Sequence, residues 1–165
     1  MPGRRGVLLA VGSGRRSRGY GRVLASLLPG VSRAFETVHF AIDLAHAPPS
    51  AGWAVEPNGV PGDLAGAERI GALLERHRPA VVWICHDWWV WQRLAPALRA
   101  CRPRPRVVVY SPVDPALLDA ADLDGLSLLV AYTETARRKL AAAVGTAVAL
   151  DRVPHGVDTA TFRPL

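Results

Sequence analysis

The chain has 165 residues, half of them hydrophobic, and a formal net charge of +6. That is enough apolar material for one domain with a real core, and too much for a disordered chain. No apolar run approaches the ~18 residues that cross a bilayer. The run at 7–11 is too short for a signal-peptide core, and Gly-Ser-Gly-Arg-Arg after it is a poor cleavage site, so the chain reads as cytoplasmic. Every basic residue except Lys139 is Arg. A polyanionic partner is one reading of that charge, and compositional bias is the other. The basic residues fall in separate clusters at 4–5, 15–22, 99–106 and 137–139, so a nucleic-acid partner is not favoured. Cys85 and Cys101 lack ligand spacing and read as reduced thiols.

In chain order, residues 6–11 form a continuous apolar strand, followed by a Gly/Arg/Ser loop over 12–21. Val23, Leu24, Leu27 and Leu28 have helical spacing, and Pro29-Gly30 predicts the end of that helix. Residues 38–42 are a second strand. Residues 45–62 are rich in Pro, Gly and Ala, with a short strand at 53–55. Asp63 is a helix cap ahead of Ala67, Ile70, Leu73 and Leu74. Residues 81–85 are an apolar strand, and Val90, Leu94, Leu98 and Cys101 mark the next helix. Strands follow at 106–110, 126–132 and 147–153. A helix is expected from Asp114-Pro115, ended by Gly125, and another from Thr133 to Gly145. Alternating strands and helices predict a Rossmann-like, doubly wound α/β domain with six or seven mainly parallel strands and helices on both faces. The first strand is expected to be central.

Such sheets bind ligands beyond the carboxyl ends of their strands. Four segments qualify: 12–22, 86–91, 111–114 and 133–134. The first is no dinucleotide fingerprint, because Ser17 stands where the third glycine is required, and no phosphate-binding P-loop motif exists. Its small residues and basic side chains still suit close approach to a sugar or phosphate, though a solvated basic loop reads equally well. His86-Asp87 ends an apolar strand, which suggests chemistry or a helix cap. Trp88 and Trp91 share a helical face that either stacks on a ligand or packs in the core. Ser111 and Asp114 suit hydroxyl binding, with Asp114 equally a cap. Thr133 caps a helix and Glu134 complements its dipole.

The last residues, Pro154-His155-Gly156-Val157-Asp158 with Phe162-Arg163-Pro164, resemble the P-x-G-V-D-x-x-x-F-x-P signature of GT-B glycosyltransferases of the family-4 type. Tyr110-Ser111-Pro112-Val113-Asp114 is similar to a Y-x-P-[VI]-D segment of one subgroup, and 131–137 to the family's V-x-x-S/T-E-x-x-R run. The resemblance implies a single N-terminal, acceptor-side domain over 1–165. It implies a retaining enzyme that moves a sugar from a nucleotide-sugar donor to an acceptor. His86 and Asp87 would carry the catalytic contacts. Gly14, Arg18, Gly19, Tyr20, Gly21, Arg22, Trp88, Ser111, Asp114, Thr133 and Glu134 would bind substrate. No metal or cofactor is implied. The donor would be held mainly by a second, C-terminal GT-B domain, in cis or in trans, whose E-x7-E motif has no counterpart among the five glutamates here. The partners expected are thus a sugar or other small-molecule acceptor and that domain, and the chain alone is expected to be inactive. A non-catalytic partner-binding or regulatory module, and a basic nucleotide- or nucleic-acid-binding α/β protein, are the alternatives.

Overall fold

The computed structural model describes residues 6–49, 52–112, 118, 120–159 and 162. The elements are β1 (Val7–Gly12), α1 (Gly19–Val31), β2 (Glu36–Ala41), β3 (Ala54–Pro57), α2 (Ile70–His77), β4 (Val81–Cys85) and α3 (Trp88–Ala100). They continue with β5 (Arg106–Tyr110), a 3-10 turn (Ala120–Leu123), β6 (Leu128–Ala131), α4 (Glu134–Val144) and β7 (Ala149–Arg152). All strand pairs are parallel, and the sheet order is β3-β2-β1-β4-β5-β6-β7. This is the expected doubly wound α/β fold. β1 is interior, with β4 rather than β1 at the midpoint.

Strand side chains alternate between faces, and the alternation sorts the core into two unequal layers. Leu9, Val11, Ile84, Val109 and Leu129 pack against the buried residues of α2, α3 and α4. Leu8, Ala10 and Cys85 face the other way and meet Leu24 and Leu28 of α1. The chain winds from β1 toward β2 through α1, and in the opposite direction, from β3 across to β4 and on toward β7, through the other helices. Crossovers of one hand running in opposite directions place their helices on opposite faces. Among the described residues, α1 is thus the only helix on its face. Over β4 to β6 that face presents half-buried Val81, Trp83, Val108 and Leu128, lining or bordering an apolar groove of about 450 Å³.

Several boundaries differ from the sequence expectation. The first helix starts at Gly19 and runs through Pro29 to Val31. Pro29 is exposed, so water can meet the carbonyl that loses its partner. Asp63 does cap, but it caps the turn before α2: its carboxylate accepts from the backbone N–H of Gly66, Ala67 and Glu68. The short strand at 53–55 is the edge strand β3, shifted to end at Pro57, where an edge tolerates a missing donor. β3 is fixed to α2 by Glu56, which meets Arg76 at 3.1 Å and His77 at 2.9 Å. The start of the helix expected from Asp114 to Gly125, Asp114 included, lies outside the described residues, and its described end is the 3-10 turn Ala120–Leu123. Thr133 caps α4 as expected, its Oγ1 accepting from Ala136 N–H at 3.1 Å. No helix among the described residues is long and apolar enough to cross a membrane.

Candidate functional site

Strand register decides which loops meet. Gly12 is paired with Cys85, and Cys85 with Tyr110. The residues that follow, Ser13, His86 and Ser111, therefore emerge side by side at the carboxyl edge. β1 and β4 are neighbours in the sheet while the chain leaves them in opposite directions, which makes the crevice between them the topological switch point.

The loop after β1 is anchored from the turn that follows β2. Ser13 Oγ donates to Asp43 Oδ2 at 2.5 Å, and Gly14 N–H donates to Asp43 Oδ1 at 2.7 Å. Arg15 Nε donates to the Asp43 carbonyl at 3.2 Å. The loop is tight enough to need small residues. A Cβ on Gly14 would lie 2.5 Å from Leu44 Cδ1, and one on Gly21 would overlap the Arg15 carbonyl.

Across the crevice, Asp87 occupies the N-cap position of α3, yet its carboxylate makes no cap hydrogen bond. It accepts instead from the Tyr20 hydroxyl, at the first turn of α1. Burial first, and then the Asp87 carboxylate, push the Tyr20 hydroxyl well above the usual tyrosine range, so it stays a donor. The Tyr20 and His86 rings lie 4.5 Å apart. Asp87 N–H donates to His86 Nδ1 at 2.9 Å. With Nδ1 accepting, the neutral ring carries its proton on Nε2 and offers a donor there. Burial lowers the His86 pKa, with Asp87 and Asp43 opposing and the Arg18 guanidinium assisting. One ring thus feels charges from the turn after β2, from the β1 loop and from its own strand end.

The structure brings Tyr20, His86 and Asp87 into contact, with Arg18 within electrostatic reach. Gly14, Gly19 and Gly21 belong to the same loop and helix start. Arg18 and Arg22 are exposed. Ser111 is 1% exposed, and its hydroxyl has no protein partner. Trp88 is 5% exposed and sits in the core with Trp91, so its indole forms no open platform. The indole that reaches solvent is Trp89, edge-on to His86 with ring centroids 5.9 Å apart. Glu134 pairs with Arg137 at 2.8 Å and Arg152 at 3.4 Å, tying α4 to β7. Ser13 and Trp89 lie within segments expected at the carboxyl edge without being singled out there, and Asp43 lies outside those segments. Asp43 had a signal, a polar residue closing an apolar strand as His86 does.

Beyond β7 the chain turns back over the sheet edge. Tyr110 OH donates to the Val153 carbonyl at 3.0 Å, and the His155 ring lies 4.3 Å from that of Tyr132. Among the described residues no group of three His, Cys, Asp or Glu side chains is placed to hold a metal ion. What the crevice offers is hydrogen bonding: a carboxylate acceptor, a ring N–H donor and nearby guanidinium charge. Such groups hold and orient hydroxyls.

No family model matches the chain, and no curated protein matches it in sequence. Its fold is similar to that of HepE (Alr3699) from Anabaena, whose structure is known in complex with UDP and glucose and with UDP-glucose. In the first, identity is 14% over 95% of this chain and 46% of HepE, with a TM-score of 0.61. In the second, identity is 14% over 94% of this chain and 45% of HepE, with a TM-score of 0.64. The likeness is one of fold, and this chain spans a little under half the length of HepE.

Proposed function

We propose that the chain is the acceptor-binding, N-terminal domain of a retaining GT-B glycosyltransferase of the family-4 type, which moves a sugar from a nucleotide-sugar donor to an acceptor. The observation that carries this reading is the behaviour of Asp87. A carboxylate at a helix N-cap ordinarily serves its own helix. Here it is turned to Tyr20 across the switch point, beside His86. The fold likeness to a protein that holds UDP-glucose supports the same reading. His86 Nε2–H would donate to a sugar or acceptor oxygen, and Asp87 would accept from a hydroxyl. The nucleotide and its departing diphosphate fall to a second domain, in cis or in trans.

The isolated chain is then expected not to turn over nucleotide sugars, because losing even one contact to developing charge costs about a hundredfold or more. The test is donor turnover by purified 1–165, alone and with a candidate second domain. Turnover only in the presence of the second domain is expected, with His86→Ala lowering kcat more than acceptor affinity. Clear turnover by the chain alone would overturn the half-enzyme reading.

A further inference from the structure

The Asp87 carboxylate has two stations within reach. One is the N-terminus of α3. Asp87 has the extended backbone of an N-cap, φ −61° and ψ 153°, so a side-chain rotation alone brings its carboxylate to the Trp89 or Val90 N–H. The other is the Tyr20 hydroxyl, and that is the one it takes. We propose that Tyr20 is a positioning residue: its hydroxyl holds the Asp87 carboxylate off the α3 N-terminus and in the crevice, and without that hydroxyl the carboxylate returns to cap its own helix. As a role in recognition this rests on the reading of the crevice as an acceptor site; the holding itself does not.

The choice of station follows from what each donor loses when left alone. Tyr20 is half-buried against the layer of Leu24 and Cys85, where an unpaired hydroxyl gives up water without replacement. The α3 end needs the carboxylate less. Val90 N–H already donates to the Asp87 carbonyl at 3.0 Å, and Trp89 is exposed, so water can stand in for a cap. Tyr20 is itself fixed in place. Its ring lies 4.5 Å from that of His86, and its neighbour Gly21 packs so closely on the Arg15 carbonyl that no Cβ fits.

Held this way, the carboxylate keeps one oxygen for a ligand. Oδ1 accepts from Tyr20. Oδ2 stands 3.8 Å from His86 Nδ1, beyond hydrogen-bond range, on a side chain that is 47% exposed. At the helix cap the carboxylate would be turned instead to the amides of α3. The one hydroxyl proton of Tyr20 is committed to Asp87, so Tyr20 acts on a ligand through that carboxylate.

The test is amide hydrogen exchange and amide proton shift at Trp89 and Val90, in ¹⁵N-labelled 1–165 and its Tyr20→Phe variant. The phenyl ring keeps the packing on His86 and removes only the hydroxyl. Exchange at one or both amides should slow about fivefold as the helix gains a cap, and the amide proton of the new donor should move downfield. Introduced into Asp87→Ala, the same substitution should change neither reading. Should Tyr20→Phe fail to fold, Asp87→Ser decides. Serine caps as well as aspartate and is one bond shorter, out of reach of Tyr20, so it should slow the same amides by a similar factor. These amides report on the carboxylate with no ligand present, so a failure of sugar transfer would sink the acceptor reading and leave this result standing. The positioning role is overturned if both amides exchange at the wild-type rate or faster in the variant read, or if Tyr20→Phe still slows them when Asp87 is replaced by alanine.

Discussion

The two faces of the sheet solve the same burial problem differently. One is covered by α2, α3 and α4 and contains most of the buried aliphatic and indole side chains. The other has α1 alone among the described helices, and it holds buried polar groups, Thr37 and His39, within its layer. Stability should therefore be concentrated on the first face, and pH sensitivity on the second. That division can be broken by experiment.

The largest effect should come from Trp91→Ala. Trp91 is fully buried on the three-helix face, and its Nε1 donates to the Asp122 carbonyl at 2.7 Å. Urea unfolding should show a loss of about 3–5 kcal/mol. On the opposite face, His39 should make stability depend on pH. Its folded pKa of about 4 lies below the ordinary histidine value of 6.5, so between those values the unfolded chain binds more protons. Its contribution is fully present above about pH 6.5 and is lost as pH falls toward 4, an effect on the order of 3 kcal/mol. His39→Leu should flatten the pH dependence in that window, as read by thermal unfolding across pH. An unchanged pH profile would remove the electrical distinction between the faces.

Asp43→Ala should have an intermediate effect. It deprives Ser13 and Gly14 of their shared acceptor, and a loss of about 2 kcal/mol is expected, with faster amide exchange confined to the loop after β1. The smallest effect should come from Trp83→Ser, which lies half-buried on the one-helix face. A change within about 1 kcal/mol is expected. If Trp83→Ser costs as much as Trp91→Ala, the two faces do not differ in the way described.

How much of this was legible depended on local contrast. β4 and β5 are apolar runs with sharp polar ends, and their bounds agree with the expected ones. The start of α1 was concealed because Gly19-Tyr20-Gly21 reads as loop and its helical state depends on packing beside Ser13 and Arg15. Pro29 resembled a stop signal because sequence does not reveal that it faces water. At the site, His86-Asp87 stood out as a polar pair closing an apolar strand. The Tyr20–Asp87 contact did not, since it joins residues 67 apart in the chain. Trp88 and Trp91 do share a face, but it is the one carrying Leu94 and Leu98 inward, which leaves Trp89 outside. Helical period fixes which residues are companions, not whether their side faces the core or a ligand.

The Asp43 clamp bears on the entropy of recognition. A glycine-rich loop ordinarily loses much conformational freedom when a ligand settles on it. Here the Gly14 amide and the Ser13 hydroxyl are already held by Asp43, in the turn after the next strand, so much of that ordering occurs during folding. Those two groups are correspondingly spent, and the loop meets a ligand as a fixed surface. Association should be fast and little gated by loop rearrangement, and Asp43→Ala should slow it by restoring a search through loop conformations.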